Sequence, residues 1–143
     1  MRPIMGWSSW SFYRGPGTQA QILARAVAIH ANLQSHGYVY VNLDAGWSDH
    51  VDKYGRDVWD ASLFPMGVPA LAAKLHGMGL KLGLYLNPGI RQEVVSANLP
   101  IFGTRLHAKD IADTKHIGNT TGCCSWRIDF SKPGSHEYIQ SYK

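Results

Sequence analysis

The chain has 143 residues, of which 45% are hydrophobic, 17% charged and 11% aromatic, a balance that excludes a disordered or low-complexity chain. The length fits one small domain and is too short for a complete eight-fold α/β barrel, which takes about 250 residues. The net charge is +4 with fourteen Lys and Arg, but no two are adjacent, so the clustered cationic face that nucleic acid requires is missing.

No stretch approaches the roughly 18 apolar residues of a membrane span. The segment Met1 to Trp10 carries one Arg but no apolar run or small-residue cleavage site, so no signal peptide is read.

Residues 3–10 form a short apolar run, and Arg14-Gly15-Pro16-Gly17 is loop by composition. Thr18 is a plausible N-cap. After it Ile22, Leu23, Ala26, Val27, Ile29 and Leu33 recur at helical spacing until Gly37. Tyr38 to Asp44 is rich in β-branched and aromatic residues and predicts a strand. Polar, Gly-containing sequence then runs as loop to about Pro65. A second helix is predicted over 68–76, with Leu71 and Leu75 on one face and Gly77 and Gly79 ending it. Leu80 to Leu86 is the next strand.

The order is strand, helix, strand, helix, strand, the βαβ pattern of a parallel sheet in an α/β fold. Beyond Asn87 the pattern weakens. Arg91–Asn98 and His107–Asp113 read as short helices, Gly118–Gly122 as loop, and Trp126–Phe130 as a short extended piece. Pro133 sits where a last helix would start.

In a parallel α/β arrangement ligands bind beyond the carboxyl ends of the strands. Those ends carry Trp7, Trp10, Asp44, Trp47, Tyr85 and Asn87. Indoles stack on the C–H face of a pyranose, and a carboxylate accepts bonds from neighbouring hydroxyls. Each residue also has a plainer reading: Trp7 as a plug on the core, Asp44 as the cap of the next turn, Tyr85 as strand packing. Their joint placement at three consecutive strand ends favours a carbohydrate ligand.

Met5-Gly6-Trp7-Ser8-Ser9-Trp10, Tyr40-Val41-Asn42-Leu43-Asp44 leading to Trp47, Phe64-Pro65-Met66-Gly67 and Leu80 to Tyr85 resemble, in order and spacing, the opening of glycoside hydrolase family 27. These are the retaining α-galactosidases and α-N-acetylgalactosaminidases. The resemblance implies the first three βα units of a (β/α)₈ TIM barrel, with residues 1–143 as the N-terminal portion of the catalytic domain, cut before the fourth catalytic strand. It implies that Trp10 lines the sugar pocket, that Asp44 accepts bonds from sugar hydroxyls, and that Tyr85 contacts the sugar near the reacting carbon. Trp47 and Asn87 complete the candidate substrate-binding set.

The family carries a second Asp after the first, then Cys-Trp; this chain has Asp44-Ala45-Gly46-Trp47, one carboxylate fewer. Asn87 stands where the family often has Asp. Family members often act outside the cytosol or in lysosomes, and an extracellular or lysosomal site is what the resemblance implies.

Retaining hydrolysis needs two carboxyl groups about 5–5.5 Å apart. No catalytic residue is assigned within the chain. Arg127-Ile128-Asp129 has the look of the family's Lys-x-Asp nucleophile pattern but different surroundings, so Asp129 is expected to cap the helix near Pro133 or to brace Arg127. The expected function is therefore a piece of an α-galactosidase-like hydrolase that holds part of the sugar and is inactive alone. The alternative is a carbohydrate-binding or self-assembling half-barrel that associates through its exposed sheet edge.

No cofactor is expected, since no GxGxxG follows a strand. No metal is expected either: His50, His107 and His116 lack HExxH spacing and read as surface histidines. Cys123-Cys124 reads as a shielded thiol pair rather than a disulfide.

Overall fold

The structure, a computed structural model, describes residues 3–118 and 124–142. The chain gathers into two compact units, Met1–His50 with Trp59–Tyr85 and Val51–Val58 with Leu86–Lys143, each around its own apolar cluster.

The first unit opens with β1 (Gly6–Ser8) and the five-residue α1 (Ser9–Tyr13). Next, α2 (Gln19–Asn32) starts at the predicted cap. Thr18 Oγ1 accepts from the Gln21 N–H at 3.3 Å, and Gln21 Oε1 accepts from the Thr18 N–H at 2.8 Å, a reciprocal capping box. Ile22, Ala26 and Ile29 come round on one buried face. A 3₁₀ turn at Gln34–His36 then leads to Gly37, whose φ of 92° stops the helix.

In β2 (Tyr40–Leu43), Val41 and Leu43 are buried while Tyr40 and Asn42 are half-buried. The short strands β3 (Ser48–Val51) and β4 (Asp57–Trp59) pair with each other. Finally α3 (Val68–Gly77) buries Leu71 and Leu75 as predicted, and β5 (Lys81–Leu84) follows.

The sheet order is β1-β2-β5, with all pairs parallel. Trp7 stands opposite Val41, and Val41 opposite Leu82. This is the α/β arrangement that the strand and helix order predicts. Gly6 permits the close approach of β1 to β2, since a Cβ there would collide with the Tyr40 carbonyl oxygen.

Two pieces of the first half escape the sequence pattern. Ser9–Tyr13 is too short to show a helical period. The stretch read as loop up to Pro65 contains the β3–β4 hairpin, whose strands of four and three residues carry mostly polar side chains.

In the second unit, Asp52 organises the turn within Val51–Val58. Its carboxylate accepts the Tyr54 N–H at 2.8 Å, the Arg56 N–H at 3.0 Å and the Arg56 Nε–H at 2.8 Å. Burial pushes the carboxyl up, but the Arg56 guanidinium and the two backbone donors outweigh it and hold it below the ordinary carboxylate range.

After Leu86 come β6 (Ile90–Arg91), α4 (Gln92–Ser96), α5 (Ala108–Ile111), β7 (Ala112–Ile117), β8 (Ser125–Ile128) and α6 (Ser135–Gln140). Strands β6, β8 and β7 form an antiparallel sheet in that order. Ile90, Val94, Ile101, Ile111, Ile128 and Tyr138 fill the cluster beside it. The Tyr138 hydroxyl donates to the Gly55 carbonyl at 3.0 Å, and the Arg91 guanidinium pairs with Asp57. Burial pushes the phenols of Tyr138 and Tyr142 up.

Several expectations for this half change. The helix predicted over 107–113 stops at Ile111 and the chain turns directly into β7. Pro133 does not start the last helix: Gly134, at φ 92°, precedes it, and a Cβ there would press on the Leu106 side chain. The loop predicted for Gly118–Gly122 lies, beyond Gly118, outside the described residues. Cys124 is disulfide-bonded where a free thiol was expected, and Cys123 lies outside the described residues. Among the described residues no helix is long and apolar enough to cross a membrane.

Leu71 is fully buried, so Leu71→Ala should cost about 2–5 kcal/mol through lost transfer energy and a residual cavity. Thr18→Ala, which removes only a cap, should cost about 1 kcal/mol. Urea unfolding followed by tryptophan fluorescence checks the order, and equal losses would contradict it.

Candidate functional site

Because β1, β2 and β5 run parallel, their carboxyl ends share one edge of the sheet. At that edge the chain ties itself together. The Tyr85 N–H donates to the Leu43 carbonyl at 2.8 Å, so Tyr85 lies beside the residue that precedes Asp44. The Trp47 Nε1–H donates to the Tyr85 carbonyl at 2.6 Å. From the β1 side, the Ser8 hydroxyl donates to Asp44 Oδ2 at 3.2 Å and Ser9 Oγ accepts the Asp44 N–H at 3.0 Å. The Ala45 N–H closes on Asp44 Oδ1 at 2.8 Å. The turn after Asp44 passes through Gly46 at φ 90°, a conformation that the cysteine of the resembled family would adopt only with strain.

The structure therefore brings Asp44, Trp47 and Tyr85 together, with Trp10 on the first turn of α1, directly after Ser9. Exposure divides them. Trp10 is 44% and Tyr85 40% exposed, whereas Trp47 is 5% exposed with its indole N–H engaged by Tyr85. Trp7 packs against the core and meets Tyr13 edge-on at 5.9 Å, the plug reading given to it above. Beside it Phe12 lies edge-on to Tyr13, with the Arg25 guanidinium 4.3 Å above the Phe12 ring.

Asn87 belongs to the second unit, where it lines a pocket with Asp57, Arg91, Ser125 and Tyr142. In the sequence Ser8 and Ser9 are no more than two small polar residues inside the short run of residues 3–10. Only the pairing of β1 with β2 shows what their hydroxyls reach.

Asp129 neither caps α6 nor braces Arg127. Its carboxylate accepts the Ser131 N–H at 3.0 Å and the Ser131 hydroxyl at 2.6 Å, and these bonds hold it below the ordinary range. Arg127 instead pairs with Asp113 across the β7–β8 ladder at 2.5 Å. Asp113 also takes His116 Nδ1 at 2.8 Å. His50 sits against Asp49, and among the described residues no three His, Cys, Asp or Glu side chains gather as a metal site.

The family model described as Alpha galactosidase A, a melibiase model, matches residues 18–129. The chain belongs to the melibiase family. It is 34% identical over 134 residues to an alpha-galactosidase of Coffea arabica, covering 92% of this chain and 32% of that protein. To alpha-galactosidase A of Cellvibrio japonicus it is 35% identical over 131 residues, covering 91% and 29%. A GH27 β-L-arabinopyranosidase of Geobacillus stearothermophilus, solved in complex with arabinose, superposes with a TM-score of 0.87 at 32% identity, covering 97% of this chain and 36% of that one. This melibiase-family chain thus spans about a third of the length of the curated relatives it matches.

The Asp113 carboxyl is drawn down to about 2 by the His116 hydrogen bond first, with Arg127 and the Lys115 N–H adding to it. A carboxyl depressed in the folded chain stabilises it at pH above its ordinary 3.8 and loses that contribution as pH falls toward 2. His116→Ala should move the Asp113 titration from about 2 toward 3.8, read by carboxyl-carbon NMR. A midpoint that stays at about 2 would remove His116 as the cause.

Proposed function

We propose that the chain is the sugar-holding opening of an α-galactosidase-like retaining glycoside hydrolase, the first three βα units of its (β/α)₈ barrel. In this reading residues 1–143 are the N-terminal portion of the catalytic domain, and the catalytic carboxylates belong to later strands. The observation that carries the proposal is the knot at the carboxyl ends of β1, β2 and β5. There the Asp44 carboxylate is held by Ser8 and the Ala45 N–H, and the backbone of the half-exposed Tyr85 is held by Leu43 and Trp47, with the half-exposed Trp10 following the serines that bind Asp44.

The roles follow from the chemistry. Asp44 accepts bonds from two neighbouring sugar hydroxyls. Trp10 offers an aromatic face for the ring's C–H side, and Tyr85 faces the sugar near its reacting carbon. Trp47 serves by holding Tyr85, because its own N–H is taken and its ring is buried. Asn87, in the second unit, stays a candidate on its residue type.

Two carboxyl groups about 5–5.5 Å apart are the requirement for retaining hydrolysis. Asp129 is tied to Ser131 rather than presented to a substrate, so the chain alone holds sugar and does not cleave it. Ala45 supplies no second carboxylate to the rim. With a neighbour bound to arabinose, that supports a second reading of the ligand as an arabinopyranoside, which lacks the hydroxymethyl group of galactose.

Calorimetry with galactose and L-arabinose tests the proposal. The chain should bind one of them at millimolar concentration. Asp44→Asn should weaken binding about 10- to 100-fold, the cost of losing charge-assisted bonds. No heat with either sugar would sink the proposal. Turnover of p-nitrophenyl α-galactoside by the chain, abolished in Asp129→Asn, would overturn the placement of the catalytic groups.

A further inference from the structure

Ser8 stands at the N-cap of α1 in the extended conformation usual for that position, with φ −120° and ψ 137°. A serine there ordinarily turns its hydroxyl onto the second or third backbone N–H of the helix. This one does not: α1 has no side-chain cap bond, and the Ser8 hydroxyl is given to Asp44 Oδ2. Ser9, the next residue, is fully buried and accepts the Asp44 N–H. Two adjacent hydroxyls at the end of β1 thus grip the backbone and the side chain of one residue at the end of β2.

We infer that Ser8 is a positioning residue that fixes the rotamer of Asp44 for ligand binding, with Ser9 anchoring the Asp44 backbone beneath it. A carboxylate oxygen has two lone pairs. Oδ1 spends one on the Ala45 N–H and Oδ2 spends one on Ser8, and among the described residues no other donor reaches either oxygen. One acceptor position remains on each, side by side, which suits two adjacent hydroxyls of a pyranose. Without Ser8 the carboxylate is held through Oδ1 alone by its neighbour's N–H and can turn about its side-chain bonds. The ligand would then have to supply the ordering that the free chain already holds. The choice of ligand rests on the function proposed above, whereas the Ser8–Asp44 coupling does not.

The test reads the two separately. In the native chain the three-bond couplings from the Asp44 carboxyl carbon to its backbone nitrogen and carbonyl should report one fixed rotamer. Ser8→Ala should average those couplings while the chain stays folded, with a thermal midpoint lowered only by the loss of one hydrogen bond, since no cap is lost. It should also weaken binding of galactose or L-arabinose about 2- to 10-fold, the cost of ordering one side chain on binding. Ser8→Thr, which keeps the hydroxyl, should restore both. Averaged couplings in the native chain, or a single rotamer retained in Ser8→Ala, would overturn the inference, and the first of these needs no variant to fold. If the native chain binds neither sugar, the functional proposal fails while the couplings still decide the role of Ser8.

Discussion

Parallel pairing is the constraint on which the rest of the first unit depends. It forces each strand to return to the same end of the sheet through a helix, so residues 8, 43 and 84 finish at one edge although they are far apart in sequence. The pairing of β1 with β2 depends on Gly6, where the approach of Tyr40 leaves no room for a Cβ. Once the strands are in register, Ser8 reaches Asp44 and Trp47 reaches Tyr85. Each bond links the end of one strand to the end of the next. The rim is therefore a product of the sheet, and its side chains are ordered by partners dozens of residues away.

That dependence explains which parts were legible in the sequence. Thr18 with Gln21, the Ile22–Ala26–Ile29 stripe and the pair Leu71 and Leu75 are local signals with a helical period, and they mark α2 and α3 nearly to the residue. Val41 and Leu43 mark β2 in the same way. The family resemblance over residues 3–86 agrees with the match over residues 18–129. The hydroxyl–carboxylate contacts were not legible. Nothing in Ser8-Ser9 distinguishes a helix cap from a clasp until the register brings Asp44 alongside.

The second unit resisted reading for a different reason. Its strand β6 has only two residues, and the six-residue β7 carries no apolar alternation to read. The run Ala112-Asp113-Thr114-Lys115-His116-Ile117 is polar and largely exposed. It is held as a strand by the ladder to β8 and by the Asp113–Arg127 pair across it. The helix before it opens with the Asp110 carboxylate accepting the His107 N–H and buries only Ala108 and Ile111, too few residues to show a helical period. Where a strand is defined by its pairing with a segment distant in sequence, composition cannot reveal it.

The candidate sugar residues show the same limit. Residue type alone placed Trp10, Trp47 and Tyr85 in one class. Burial separates them, because an indole that is 5% exposed and donates its N–H to a backbone carbonyl has no polar group left for a ligand. A half-exposed indole beside the strand ends keeps both its face and its edge. The melibiase pattern of two consecutive carboxylates shrinks here to Asp44 followed by Ala45, so under the proposed function the demand on the remaining carboxylate rises. In that reading a lone acceptor serving two hydroxyls gains more from a fixed orientation than one of a pair does. The three bonds that converge on Asp44 are consistent with that demand.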